Sequence, residues 1–256
     1  MLRWILLLMI SSLSLMAEFN LKPISTTLLK VEDISTTLLK VEDIYGYVKD
    51  NENLVPYSSG VVMYRFKESQ SIIARAEVVE KKNGIAKLEF SVFDSLAQDA
   101  LPLPNVLPQA GDEVILNFLY DRGVVIAPDK QSYDLLTQKF PQIYFTHIDI
   151  LGAQLIRTGG LAPKRSDLRK FCSENAVGIL ILALRDKFKI VDCQSFMTLY
   201  KETLSIKPKS LQQPFYSRVG GYESDFFDFN PVQMGNFYRY YETLIDLKKA
   251  KENDEK

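Results

Sequence analysis

The sequence holds one histidine, His147, one tryptophan, Trp4, and two cysteines in 256 residues. A single histidine leaves one candidate for any nucleophile–histidine–acid arrangement. Two thiols with one distant imidazole do not make a four-ligand zinc set at recognisable spacing. No uninterrupted apolar run reaches the ~20 residues needed to span a bilayer. Neither sign of charge dominates: 31 Lys and Arg face 32 Asp and Glu, a net charge of −1. Nucleic-acid binding is therefore disfavoured, since it leaves a clustered basic footprint.

Other catalytic signatures are equally thin. Thr158-Gly159-Gly160, followed by Lys164, Arg165 and a helix start at Ser166, offers backbone donors for an anion. It lacks the spacing of a phosphate loop and reads as a connection with solvated charges. Ser195 and Ser217 lack the flanking glycines of a nucleophile elbow. Asp225 and Asp228 are paired carboxylates with no second feature of a glycosidase. His147 reads as a partly exposed residue of a first helical turn beside Asp149. The expectation is a non-enzyme with no catalytic residue, cofactor, metal or small-molecule substrate.

What is present begins with a leader. Arg3 precedes the apolar run Trp4 to Ile10, and Ser11 to Ala17 are mostly small residues with a plausible cleavage site after Ala17, so residues 1–17 read as a secretory signal peptide. Cleavage takes the net charge to about −2 and leaves roughly 240 residues, enough for one large or two small domains. In an oxidising compartment Cys172 and Cys193 read first as a disulfide, with two buried thiols as the alternative. Residues Ile24–Asp33 read ISTTLLKVED and Ile34–Asp43 repeat it without a change. Two units do not make a solenoid, and the arm of residues 18–56 reads first as a terminus that tolerates an insertion, with a lengthened N-terminal strand or arm as the alternative.

Residues 57–118 read as a small β-barrel or sandwich. Ser71–Lys81 and Ile85–Phe93 flank Asn83-Gly84, a pair suited to a tight turn at positive φ, and Ala86, Leu88, Phe90 and Val92 alternate with polar residues. The prolines of Leu101–Pro108 exclude a central strand. Residues 119–205 read as an α/β unit: strands at Val124–Ala127 and Ile143–Phe145, a helix capped by Asp129 with Tyr133, Leu136 and Phe140 on one side, helices opening at Thr146 and Ser166, and the hairpin Val177–Leu184 with Phe188–Cys193. Residues 206–256 carry a dense aromatic segment, a helix from Val232 and a polar tail. Phe215, Tyr216, Tyr222, Phe226, Phe227, Phe229, Tyr238 and Tyr241 are the candidate partner-binding residues, because such rings dominate interface centres. Ordinary core is the alternative.

Leu101–Leu116 (LPLPNVLPQAGDEVIL), Ile126–Asp129, Leu168–Cys172 (LRKFC), Cys193–Phe196 (CQSF) and Pro214–Gly220 (PFYSRVG) resemble the N-terminal domain of the plasminogen-binding protein PgbA family over roughly residues 55 to 250. The resemblance takes in both cysteines and so favours their pairing. It also implies plasminogen as a host partner. Family members that bind it carry a long lysine-rich extension ending in lysine, whereas this chain stops soon after the domain with Lys256 at its end. A lysine side chain with a terminal carboxylate is the zwitterion that kringle modules capture. By layout alone, the β unit followed by an α/β unit is similar to exported accessory proteins of bacterial flagellar motors.

These readings combine into a mixed α+β or α/β protein acting as a periplasmic scaffold or interaction component of the cell envelope, with other envelope proteins, including flagellar motor parts, as partners. The alternative is a cell-surface protein that binds plasminogen through Lys256.

Overall fold

The computed structural model describes residues 33–93, 106–158, 162–206, 208, 210–219 and 234–247. The expected signal peptide and the prolines of 101–105 lie outside them. The chain is a mixed α+β protein with two sheets. The first contains β1 (Ile34–Thr37), β2 (Lys40–Glu42), β3 (Tyr45–Lys49), β4 (Ser59–Phe66), β5 (Ser69–Lys82), β6 (Ile85–Ser91) and β7 (Glu113–Leu116), in the order β1-β7-β4-β5-β6-β3-β2. All its pairings are antiparallel.

This order forces the sheet to curl. β1 and β2 lie at opposite edges, yet only Leu38 and Leu39 separate them, so Thr37 and Lys40 are at most about 11 Å apart along the chain. Flat, seven strands would put their edges roughly 29 Å apart. The result is a half-barrel wrapped around Leu38, Val48, Val62, Ala76, Leu88 and Val114, all buried. Gly46 makes room for the plug: a Cβ there would lie 2.3 Å from Phe90 Cζ and 2.8 Å from Leu38 Cδ2.

The second copy of the decapeptide is therefore strand within the first sheet. It supplies both edge strands, and the sheet begins at Ile34, well before residue 57. The β5–β6 hairpin turns at Asn83 (φ 53°) and Gly84 (φ 76°), as the dipeptide predicts. Ala86 and Leu88 face inward, whereas Val92 lies beyond the strand and is 78% exposed.

The second sheet runs β12-β11-β10-β8-β9, with β8 (Arg122–Ile126), β9 (Tyr144–Phe145), β10 (Ile179–Ala183), β11 (Lys187–Asp192) and β12 (Thr198–Thr203). β8 pairs in parallel with β9 and β10, and the rest is antiparallel. α1 (Lys130–Lys139) makes the β8-to-β9 crossover; the Asp129 carboxylate accepts from the Ser132 N–H, and Tyr133 and Leu136 pack inward with Phe140 at its end. α2 (Ile148–Thr158) and α3 (Arg165–Glu174) precede β10. At α3 the Asp167 carboxylate accepts from the Lys164 N–H, which puts the helix start one residue before Ser166. α4 (Phe237–Thr243) closes the described chain. Cys172 on α3 is bonded to Cys193 after β11. Closing a loop of this length contributes roughly 3 kcal/mol in the chain-entropy model.

One buried cluster joins the sheets. Asp192, fully buried at the end of β11, accepts from the Ser59 hydroxyl (2.6 Å), the Tyr120 hydroxyl (2.7 Å), and the N–H groups of Gln194 (2.8 Å) and Ser195 (2.6 Å). Tyr120 in turn accepts from the Ser59 N–H at 3.0 Å. Burial, then the adjacent Asp192 carboxylate, pushes the Tyr120 phenol well above its ordinary range and keeps it a donor. Tyr120→Phe strips one donor from Asp192 and orphans the buried Ser59 N–H. A loss of about 1–3 kcal/mol is expected in urea unfolding, with the α/β core residues keeping their side-chain contacts; an unchanged midpoint would show that the cluster does not hold the sheets together.

Candidate binding surface

The aromatic segment goes inward where it is described. Phe215 and Tyr241 are 1% exposed and Tyr216 is 9% exposed, so these three are core residues rather than partner-facing rings. The reason is backbone docking: the Gln212 N–H donates to Pro128 O and the Tyr216 N–H to Ala127 O, both at 2.7 Å, which lays this segment along the end of β8. Tyr216 then packs 5.5 Å from Tyr133, and the Tyr241 hydroxyl donates to Pro214 O at 2.9 Å. Tyr238 is partly buried, with Arg185 5.8 Å from its ring. Tyr222, Phe226, Phe227, Phe229 and the terminal Lys256 lie outside the described residues, as do Asp225, Asp228 and Gly159-Gly160.

Asp149 fastens the same segment. Its carboxylate accepts from the Ser217 hydroxyl (2.8 Å), the Arg218 N–H (2.9 Å) and Arg218 Nε (2.8 Å), and His147 Nδ1 lies 3.3 Å away. Serine, aspartate and histidine thus meet, but in an order that does not activate the serine. The hydroxyl donates to the carboxylate, and no imidazole is placed to take its proton. Nδ1 of His147 instead accepts from the Asp149 N–H at 3.2 Å, at the start of α2.

Two depressions among the described residues bear on binding. One, about 180 Å³, lies at the junction of the sheets against Ser59, Gly60, Phe93, Leu119, Cys172 and Gln194. That is below the ~300 Å³ of ordinary ligand sites. The other is an open groove of about 610 Å³ lined by Lys187, Lys189, Thr198, Tyr200, Lys201 and Asp246. Register sets Lys189 directly opposite Lys201 across β11 and β12. Like charges facing each other cost a few tenths of a kcal/mol or more. Asp246 relieves one of them: it accepts from Lys189 Nζ (2.7 Å) and from the Thr198 N–H (2.7 Å) and hydroxyl (2.8 Å). Burial opposes its ionisation, yet these donors hold its carboxyl below the ordinary range. Lys201 is exposed on the edge strand. Among the described residues no group of three or more His, Cys, Asp or Glu is placed to hold a metal.

Residues 33–245 match the family model described as plasminogen-binding protein pgbA N-terminal. The chain belongs to this family. Within the PgbA N-terminal family, the plasminogen-binding proteins PgbA of Helicobacter pylori strains J99 and 26695 are each 28% identical to it over 196 residues. Those alignments cover 75% of this chain and 43% of each relative, so the chain matches less than half the length of those relatives. The domain boundary at Asp33 falls one residue before β1, so the second decapeptide copy, and not the first, lies inside the family domain.

Sequence reasoning paired the cysteines and placed Asp149 beside His147. It missed Lys187, Lys189 and Lys201, although Lys187 and Lys189 alternate with the buried Phe188 and Ile190, a period-2 signal that would have put both lysines on one face.

The pH dependence of the Asp149 clasp has a definite sign. Burial disfavours its charge, but the Arg218 N–H, the Ser217 hydroxyl, the Arg218 guanidinium and His147 outweigh it and hold the carboxyl below the ordinary range. A depressed carboxyl stabilises the fold above the unfolded value, near pH 4, and that contribution is lost as pH falls through the folded value. Asp149→Asn is expected to lower stability at pH 7 and to flatten the acid limb of a Tm-against-pH curve. An acid limb parallel to that of the parent chain would show that the clasp carries no such linkage.

Proposed function

We propose that this chain is a non-enzymatic, exported protein-binding module and that the protein it binds is plasminogen, engaged through lysine. The observation that carries this reading is membership of the PgbA N-terminal family across residues 33–245, with both curated relatives named for plasminogen binding. The chemistry agrees with it. A kringle module takes an amine and a carboxylate together, and the β11–β12 groove is lined by amines, Lys187, Lys189 and the exposed Lys201, and by the carboxylate of Asp246. The comparisons lend no support to a scaffold part of the flagellar motor. The carboxylate-centred Ser217–Asp149–His147 arrangement favours a binding role over acyl transfer.

Plasminogen is extracellular, so the reading requires the chain to face outward. Protease added to intact cells should cleave it without opening the outer membrane.

The decisive binding measurement uses the immobilised full chain and soluble plasminogen. Binding is expected to be competed away by 6-aminohexanoate, a free amine–carboxylate of lysine dimensions. Lys201→Ala is expected to weaken it by up to about fivefold, the loss of one exposed amine. Binding indifferent to 6-aminohexanoate overturns lysine recognition, and no binding at all overturns the proposed partner.

A further inference from the structure

The decapeptide repeat has a consequence that only the fold reveals. Identity between the copies runs to eleven positions, since Ile34 follows the first as Ile44 follows the second. The second copy fills one continuous slot. Ile34–Thr37 pairs with β7, Leu38 plugs the half-barrel, and Lys40–Glu42 pairs with β3. The slot reads this segment through hydrogen bonds that any occupant of the same sequence would reproduce. The Leu38 N–H donates to Asp112 O and the Gly111 N–H to Leu38 O, both at 2.9 Å; the Leu39 N–H donates to Tyr47 O at 2.8 Å. The Ser35 hydroxyl donates to Glu113 Oε1 at 2.6 Å, and the Phe90 N–H to Ile44 O at 2.7 Å. Ser25, Leu28, Leu29 and Ile34 are the residues the first copy would place at these points.

We propose that the slot accepts either copy, so that the half-barrel has two registers ten residues apart, with Ile24–Ile34 replacing Ile34–Ile44 in the minor one. Within the eleven positions, side chains buried and ladder bonds made are the same in both. The differences lie at the two ends: ahead of the slot Pro23 would stand where Asp33 now accepts a hydrogen bond from the Leu119 backbone, and beyond it the connection to β3 changes. With the second copy in place, Asp43 and Ile44 turn the chain directly into Tyr45, Asp43 at φ 53°. With the first, Asp33 and Ile34 take those two positions and residues 35–44 are looped out, making a connection of twelve. Loop closure over a sixfold longer connection favours the second copy by only ~15-fold. The slot is thus backed by a spare strand pair within the same chain. Deleting either copy yields the same polypeptide, so only substitutions tell the registers apart.

The test is a set of three variants of the full chain, Leu28→Asp, Leu38→Asp and the double variant, followed by thermal unfolding and amide hydrogen exchange. Leu28→Asp is expected to leave Tm unchanged. Leu38→Asp is expected to lose no more than the register preference, about 3–6 °C in Tm for a chain of this size, and amide protection should move from residues 34–43 to residues 24–33. The double variant, with no apolar plug to offer, is expected to lose far more than the two single losses added. Leu38→Asp as damaging as the double variant, or protection that stays at 34–43, overturns the proposal. Recovery of Leu38→Asp only in dimers overturns it as well, since the spare copy would then be serving a neighbouring chain. None of these outcomes depends on the partner.

Discussion

The carboxylate of Asp192 is the point on which the arrangement of this protein turns. A charge fully removed from water is tolerated only when its lone pairs are occupied. Asp192 meets that condition by drawing on three parts of the chain: Ser59 from the half-barrel, Tyr120 from the connection into the second sheet, and the turn at Gln194 and Ser195 beyond β11. The same turn carries Cys193, and the Ser195 hydroxyl reaches back to Tyr57 O at 2.9 Å. Hydrogen bonds, disulfide and strand end therefore converge on one corner. A rigid-body shift of one sheet against the other would break several buried bonds together, so the geometry favours a fixed relation between the sheets over a hinge.

Close backbone approach at that corner explains a glycine as well. At Gly178 a Cβ would lie 2.3 Å from Leu119 O, and the Gly178 N–H and carbonyl bond Arg122 and Cys193. The peptide of residue 178 is sandwiched between the connection and the disulfide turn, and any larger residue would separate them. At the far end of the half-barrel the constraint is different in kind. There a two-residue link spans both edges of a seven-stranded sheet, and chain length alone, more than any single contact, dictates the curvature.

Much of the α/β unit was legible because its signals are local. Asp129 caps α1, Tyr133 and Leu136 fall on its inner stripe, and the apolar run 177–184 becomes the central strand β10. The Asn83-Gly84 turn fixed the longest hairpin for the same reason. What escaped was non-local. β1 and β2 are too short and too polar to show a period, and their place is set by β7 and β3, contributed by residues 113–116 and 45–49. β12 is an edge strand whose Lys201, Glu202 and Thr203 conceal its alternation. The Asp149 clasp joins α2 to Ser217 and Arg218, 68 and 69 positions away, so only the first of its partners, His147, could be read from spacing.

The fate of the aromatic segment bears on function. Density of Phe and Tyr could signal either core or interface, and composition does not decide which. In the described residues it is docking of Gln212 and Tyr216 onto the end of β8 that turns Phe215, Tyr216 and Tyr241 inward. Rings committed to the core cannot serve as the rigid anchors that dominate most protein interfaces. The described surface of the second sheet presents instead three ammonium groups, Lys187 and Lys189 on alternate positions of β11, matched by Glu242 and Asp246, and Lys201 on β12, left exposed at the edge. A cation of that kind gains most when a partner supplies the aromatic face and the counter-charge. On the proposed reading, recognition through lysine asks of this chain a rigid platform and an accessible amine, and leaves the apolar pocket to the partner, since Phe215, Tyr216 and Tyr241 are committed to the core.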